Sequence, residues 1–356
     1  NKTNPVFLLD FAGQKVFDSA TVDVNILTLE KAKNLAKTVA CTADETCLNN
    51  LSDFVTQNSF SATFNTESIW TILSPIEQSI KSKIDSIGTP LKNWDVNINR
   101  GILTGFNDAF IITSEKKYEL ISEDPKSAEI IRPILRGRDV KRYCFYNPDL
   151  WLISTFPSKN YDIDNYPAVK EYLLSFGIEK LEQTGKKYTI NGVEIKARKK
   201  TNNKWFETQD SISYWDDFSK QKIVWKRIGS LLRFAYDDSG CVTLDSTCIA
   251  TGKNIKYIAA ILNTTLGNYM FKDSPKTGTG DLIVSVQAFE PIKIPQIEEC
   301  EIQKFEELYD SISNCIKNGA DYSAYENKLE ELTFNLYGIS DTEKEYIKEV
   351  SNKFFR

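Results

Sequence analysis

The stretch "RGILTGFNDAFIIT", Arg100 to Thr113, decides how the chain is read. Two glycines bracket Ile102–Thr104, and an Asn-Asp pair leads into an apolar run. A phosphate cradle of the P-loop kind needs G-x-x-x-x-G-K-[ST], and Phe106 stands where the lysine belongs. Gly101 and Gly105 are therefore expected to shape the backbone. Ala109–Ile112 is expected to be the first core strand, with Arg100, Thr104 and Asn107 on the loop that launches it.

Upstream, residues 16–29 alternate polar and apolar. Val22, Val24 and Ile26 face one way and Thr21, Asp23 and Asn25 the other, which predicts a strand with one wet face. Residues 31–60 read as helix or connector. Downstream, "GRDVKRYCFYNPDLWLISTF" reads as turn, strand, turn, strand. "DNYPAVKEYLLSFG" predicts a helix, with Pro167 at its first position, a stripe of Val169, Tyr172, Leu173 and Phe176, and Gly177 at its end. "QKIVWKRIG" and "LRFAYD" predict two paired strands. Ile255, Ile258, Ala259, Leu262, Leu266 and Tyr269 recur at helical spacing. The tail carries two further stripes, Ile302-Phe305-Leu308-Ile312-Ile316 and Leu329-Leu332-Leu336. "SDTE" at Ser340 is a capping box for a third helix. The fold class expected is α+β, a mixed β-sheet domain with flanking helices and an α-helical C-terminal segment.

The chain has 356 residues, enough for about two domains. No apolar run reaches the ~18 residues of a membrane span, so the expected compartment is the cytoplasm, with no membrane partner. The only methionine is Met270 and the first residue is Asn1, which is read as an excised or processed chain. No histidine is present, which excludes Ser-His-Asp and Cys-His catalysis and any histidine-ligated metal within this chain. Seven cysteines without a C-x-x-C pair predict reduced, mostly buried thiols and no structural zinc. An E-x-K element of the kind nucleases use occurs at Glu194–Lys196, with Asp162 and Asp164 upstream. It recurs at Glu115–Lys117 and Glu326–Lys328, so each match carries little information.

The net charge of −5 conceals an asymmetry. Residues 180–233 hold 13 Lys/Arg against 6 Asp/Glu, and residues 298–356 hold 7 against 14. A basic middle is the footprint of a polyanion-binding surface. Basic residues cluster near turns: Arg100, Arg136, Arg138, Lys141, Arg142, Arg198, Lys199, Lys200, Lys226 and Arg227, with Lys276 in a glycine-rich loop. Trp205, Phe206, Tyr214, Trp215 and Trp225 are interleaved with them.

Six blocks, "NRGILTGFNDAFIIT", "IIRPILRGRDVKRY", "YPAVKEYLLSF", "NKWFETQDSISYW", "SKQKIVWKRI" and "YIAAILNTTL", occur in an order that resembles the TaqI-like C-terminal specificity domain. That domain belongs to bacterial adenine-N6 DNA methyltransferases and to single-chain type IIG restriction–modification enzymes. The resemblance implies a remnant of a methyltransferase domain at 1–60, a DNA target recognition domain at 61–297 and a helical tail at 298–356. It implies double-stranded DNA as partner, together with the methyltransferase domain of the parent chain. The DNA-binding residues expected are Arg100, Thr104, Asn107, Arg136, Arg138, Lys141, Arg142, Arg198, Lys199, Lys200, Lys226, Arg227 and Lys276. The family's F-x-G-x-G cofactor loop and its N-P-P-Y tetrapeptide are absent, and the chain has no Pro-Pro. No catalytic residue, metal or cofactor is therefore expected in this chain; S-adenosylmethionine is expected for the parent, with Mg2+ if the parent also cleaves. A metal-dependent nuclease domain and a protein-interaction module that uses the acidic tail stand as alternatives.

Overall fold

In a computed structural model, residues 3–17, 19, 22, 24–64, 70, 72–190 and 192–354 are described. The chain divides into two units, Asn1–Lys83 and Ile84–Arg356.

In the first unit, β1 (Asn4–Asp10) pairs antiparallel with β2 (Asn25–Glu30) and parallel with β3 (Thr38–Thr42). β3 in turn pairs with β4 (Phe60–Ala62). Helix α1 (Leu51–Asn58) is capped by the Asn50 side chain, which accepts from the Asp53 amide. It adds Phe54 to a small core of Leu9, Phe11, Cys41 and Cys47. Two expectations are corrected. The alternation through 16–29 becomes a strand only from Asn25, and every residue of that strand is exposed, Ile26, Leu27 and Leu29 included. β2 lies at the sheet edge, so neither face is obliged to be buried; Thr21 and Asp23 lie outside the described residues. The segment read as helix or connector also contains the strand β3, with Thr38, Ala40 and Cys41 buried, whose five residues are too few to show a period.

Helix α2 (Pro75–Ile87) opens with Ser74 and Glu77 bonded to one another. After α2 the second unit holds β5 (Gly88–Pro90), β6 (Val96–Arg100), α3 (Asn107–Phe110), β7 (Ile111–Thr113), α4 (Ser114–Glu123), β8 (Ile131–Leu135) and β9 (Leu150–Ile153). Next come α5 (Pro167–Leu174), α6 (Ile178–Leu181), β10 (Lys187–Ile190), β11 (Val193–Lys196), β12 (Lys222–Lys226), β13 (Ile228–Gly229), β14 (Phe234–Asp237), β15 (Val242–Thr243) and β16 (Thr247–Gly252). Then follow α7 (Ile255–Leu262), α8 (Thr265–Tyr269), β17 (Leu282–Ile283), α9 (Val286–Phe289) and β18 (Lys293–Pro295). The last helices are α10 (Glu299–Lys317), α11 (Ser323–Leu336) and α12 (Asp341–Phe354). One sheet, in the order β14-β12-β16-β6, is antiparallel throughout. A second, β15-β8-β9-β7, is mixed, because β15 runs parallel to β8. Several small sheets with helices set around them make an α+β fold.

One core includes residues of both of these sheets together with α5, and holds Phe110, Ile134, Leu152, Val169, Leu173, Val224 and Ile249. Pro167 opens α5 and Gly177 follows it at φ +88°, as the sequence requires. One local reading changes: Ala109 and Phe110 are buried, but in the helical turn α3, and the strand starts at Ile111. A helical turn buries both residues on one side, which an apolar run alone does not distinguish from a strand. The helix predicted from Ile255 is two helices. Asn263 stops α7 because its side chain pairs with the backbone of β14, accepting from Phe234 N at 3.1 Å and donating to Phe234 O at 2.7 Å. Thr264 then caps α8. At Ser340 the capping box is present, with Glu343 accepting from the Ser340 amide at 2.7 Å and from its hydroxyl at 2.9 Å.

Candidate nucleic-acid interface

Six of the candidate basic residues meet at one end of the antiparallel sheet. Register places Lys226 opposite Thr247 and Arg100 opposite Cys248, at the ends of β12 and β6. Around this end lies the turn at Ser246, whose carbonyl accepts from Arg227 N at 2.9 Å. Its hydroxyl accepts from Gly137 N at 3.1 Å, which docks the Arg136–Asp139 turn here. Gly137 has little room: a Cβ there would lie 3.0 Å from the Ser246 carbonyl. Arg227 O accepts from Val284 N at 2.8 Å, β13 pairs with β17, and Lys276 bridges to Leu282. The loop bearing Lys276 is thus joined to the same region.

Within this group the arginines differ. Asp139 binds Arg136 through Nε and Nη2, each at 2.9 Å, and also accepts from the Arg136 amide. That bond raises the Arg136 pKa. Arg138 is exposed and has no ion-pair or hydrogen-bond partner among the described residues. Arg100 is half exposed and reaches Asp210 at 3.2 Å. The same carboxylate accepts from Leu103 N, so Asp210 ties the sheet end to the glycine loop.

The loop residues form a second group. Thr104 is fully buried, and its hydroxyl donates to Asn107 at 2.6 Å and accepts from Phe106 N. Gly105 adopts φ +79°. Arg198 is 4% exposed and donates to the carbonyls of Leu181, Thr104, Glu207 and Trp205 at 2.6–2.9 Å. Burial pushes its pKa down to about 10, which leaves it charged at neutral pH. Thr104 and Arg198 were expected to touch DNA; their bonds instead face inward and hold the loop. Lys199 and Lys200 follow Arg198 directly and are exposed.

Lys141 and Arg142 form a third group, beside the helical tail. Lys141 lies over the Tyr146 ring. Arg142 binds Glu326 at 2.7 Å and donates to Asn263 O at 2.6 Å. Burial opposes its charge, but Tyr143, Glu326 and Glu330 outweigh that and raise its pKa. The aromatic residues also divide. Trp225 and Phe206 are core, with Trp225 stacked on Phe289 at 4.1 Å. Trp205, Tyr214 and Trp215 are half-buried against that core.

The nuclease alternative finds no arrangement that favours it. Glu194 and Lys196 share one exposed face of β11, and Glu194 pairs with Lys187 at 2.9 Å. Asp164 pairs with Lys170. Among the described residues no three His, Cys, Asp or Glu side chains gather as a metal site. No described helix is long and apolar enough to cross a membrane.

Residues 132–295 match the model of the TaqI-like C-terminal specificity domain. This segment resembles a TaqI-like specificity domain. The match begins within β8, at the strand leading into the Arg136–Asp139 turn, and ends with β18. No curated protein matches the chain. Among solved structures the chain is similar to the type IIL restriction–modification enzyme MmeI in complex with DNA, with a TM-score of 0.52 and 11% identity over 99% of this chain and 46% of that one. It is also similar to the type IIG restriction endonuclease BpuSI, with a TM-score of 0.41 and 11% identity over 93% of this chain and 44% of that one. The chain therefore spans less than half the length of either structure. At such identity the MmeI match speaks for the fold of the specificity domain and its surroundings, not for individual side chains.

Proposed function

We propose that this chain is the DNA target recognition module of a larger adenine-N6 DNA methyltransferase or single-chain type II restriction–modification enzyme. The observation that carries the proposal is the convergence of Arg100, Arg138, Lys226, Arg227 and Lys276 on one sheet end of a TaqI-like specificity domain. Exposed cations there neutralise phosphates and release counterions on binding. Lys199 and Lys200 extend the basic surface, while Arg136, Arg198 and Thr104 set its geometry. The module grips the duplex and selects a site, and an adenine then leaves the stack for a catalytic pocket in the parent.

Neither glycine-rich stretch has the form of a phosphate cradle. Gly101 is filled from below, since a Cβ there would lie 1.9 Å from Leu244 O. Gly278 and Gly280 sit in an open turn that leads into strand β17 and not into the N-terminus of a helix. S-adenosylmethionine belongs to the parent's methyltransferase domain on this reading, and the exposed apolar edge of β2 is where we place the junction with it. The test is binding of this chain to duplex DNA without divalent metal, followed by addition of Mg2+. Binding that weakens with salt, with no cleavage on adding Mg2+, supports the proposal. Absence of duplex binding overturns it, and cleavage returns the nuclease alternative.

A further inference from the structure

The β10–β11 ribbon pairs with no other strand among the described residues. Its faces are chemically distinct. Tyr188, Ile190 and Ile195 lie half-buried on one side, and Lys187, Thr189, Glu194 and Lys196 are all exposed on the other. Register sets Lys187 directly opposite Lys196 and Thr189 opposite Glu194. Like charges directly opposite on one face destabilise a ribbon, and a two-stranded hairpin is marginal by itself. This one is held at its root. Tyr188 Oη donates to Glu182 at 2.6 Å, and Ala197 N and Gly185 N continue the ladder to Lys186 O and Arg198 O. Arg198, four residues beyond Glu194, anchors the exit strand through its four carbonyl bonds. The result is a fixed ribbon that presents a polar face to solvent in a lysine-rich setting.

We propose that this ribbon enters the major groove and that Glu194 accepts a hydrogen bond from the exocyclic amine of a cytosine or an adenine. This rests on the DNA-recognition reading above. The major groove, about 12 Å wide, admits a two-stranded ribbon. Lysines on such a ribbon can meet phosphates or guanine acceptors. A carboxylate cannot: phosphates repel it, and only the amines of cytosine and adenine offer it a donor in that groove. Glu194 is the one acidic group on the ribbon. Its ion pair with Lys187 leaves both side chains 63% exposed, so the pair does not occupy the carboxylate's whole surface.

The experiment is the binding of this chain, the Glu194→Ala variant and the Lys187→Met variant to a duplex library randomised over the site, at fixed salt. With Glu194→Ala, selection at one base pair is expected to relax by about tenfold, with the other positions unchanged. Lys187→Met breaks the ion pair and is expected to weaken all duplexes alike while keeping that selection. A uniform change with Glu194→Ala, or no change, overturns the assignment and leaves Glu194 only a partner of Lys187. The same single-position loss in Lys187→Met also overturns it, because the lysine is then the reader. A wild-type chain that binds every duplex alike overturns base reading but not DNA binding, and one that binds none overturns both. Thermal melting of both variants is expected to match wild type, since the substituted side chains are exposed.

Discussion

Arg198 and Lys199 are neighbours with opposite duties. Truncating Arg198 leaves four buried or half-buried carbonyls without their donor, each costing about 1–3 kcal/mol when unpaired. We expect Arg198→Ala to lower stability by at least about 3 kcal/mol, read as a shift of the urea midpoint. Lys199→Ala and Lys200→Ala are expected to stay within about 0.5 kcal/mol of wild type, as exposed substitutions do. The Arg136–Asp139 turn divides labour in the same way. In the sequence Asp139 lies within reach of both Arg136 and Arg138, and spacing alone does not say which it takes. Asp139 takes Arg136 in a two-pronged bond and Arg138 is left exposed. If Arg138 meets a phosphate, Arg138→Lys costs a modest and uniform loss of affinity; a guanine reader instead loses about 1–3 kcal/mol at one base pair. Sequence gave the basic residues but not their burial. Arg198 looks like its lysine neighbours until the carbonyls from four separate segments are brought around it.

At the scale of elements, β12 and β14 carry a fully buried ion pair. Lys222 Nζ lies 2.6 Å from Asp237 and donates to Phe218 O, while Asp237 also accepts from Ser239. Removing one member strands the other charge in the core, at about 3–5 kcal/mol, whereas replacing both with apolar groups is often neutral. Lys222→Met is therefore expected to destabilise strongly, and Lys222→Met with Asp237→Leu to recover most of the loss, as a double-mutant cycle in urea can measure. The pairing of these two strands was legible, because "QKIVWKRIG" and "LRFAYD" are short β-branched and aromatic runs. Their buried charges were not, because a lysine at a strand start reads as solvated. The helices followed their stripes and caps closely: Val169, Leu173, Ile302, Phe305, Ile312 and Leu329 are all buried. The errors share a cause. The break at Asn263, the helical turn at Asn107–Phe110 and the exposed edge β2 are set by contacts with distant backbone or by position in a sheet, and neither leaves a local period.

For the whole molecule, net charge misleads and charge placement informs. The chain is acidic overall, yet the acidic excess lies in α10–α12, while the specificity domain holds the basic surface. If the proposed module grips duplex DNA, counterion release at that surface sets the salt dependence, with log K falling by about 0.9 per phosphate contact for each unit of log salt. Lys199→Ala with Lys200→Ala should reduce the slope by up to about 1.8 if each lysine meets one phosphate, and should weaken all sequences alike. A slope that stays the same while sequence preference shifts would mean that these lysines read bases. Acidity has a second consequence. The chain has no histidine, the side chain whose ordinary pKa falls between pH 5 and 8. The cations at the sheet end are arginines and lysines. Affinity at fixed ionic strength should therefore be flat from pH 6 to pH 8, as fluorescence anisotropy with a labelled duplex would show. A fall of tenfold or more across those two units would place a titrating group at the interface, and would move the binding surface away from the Ser246 turn.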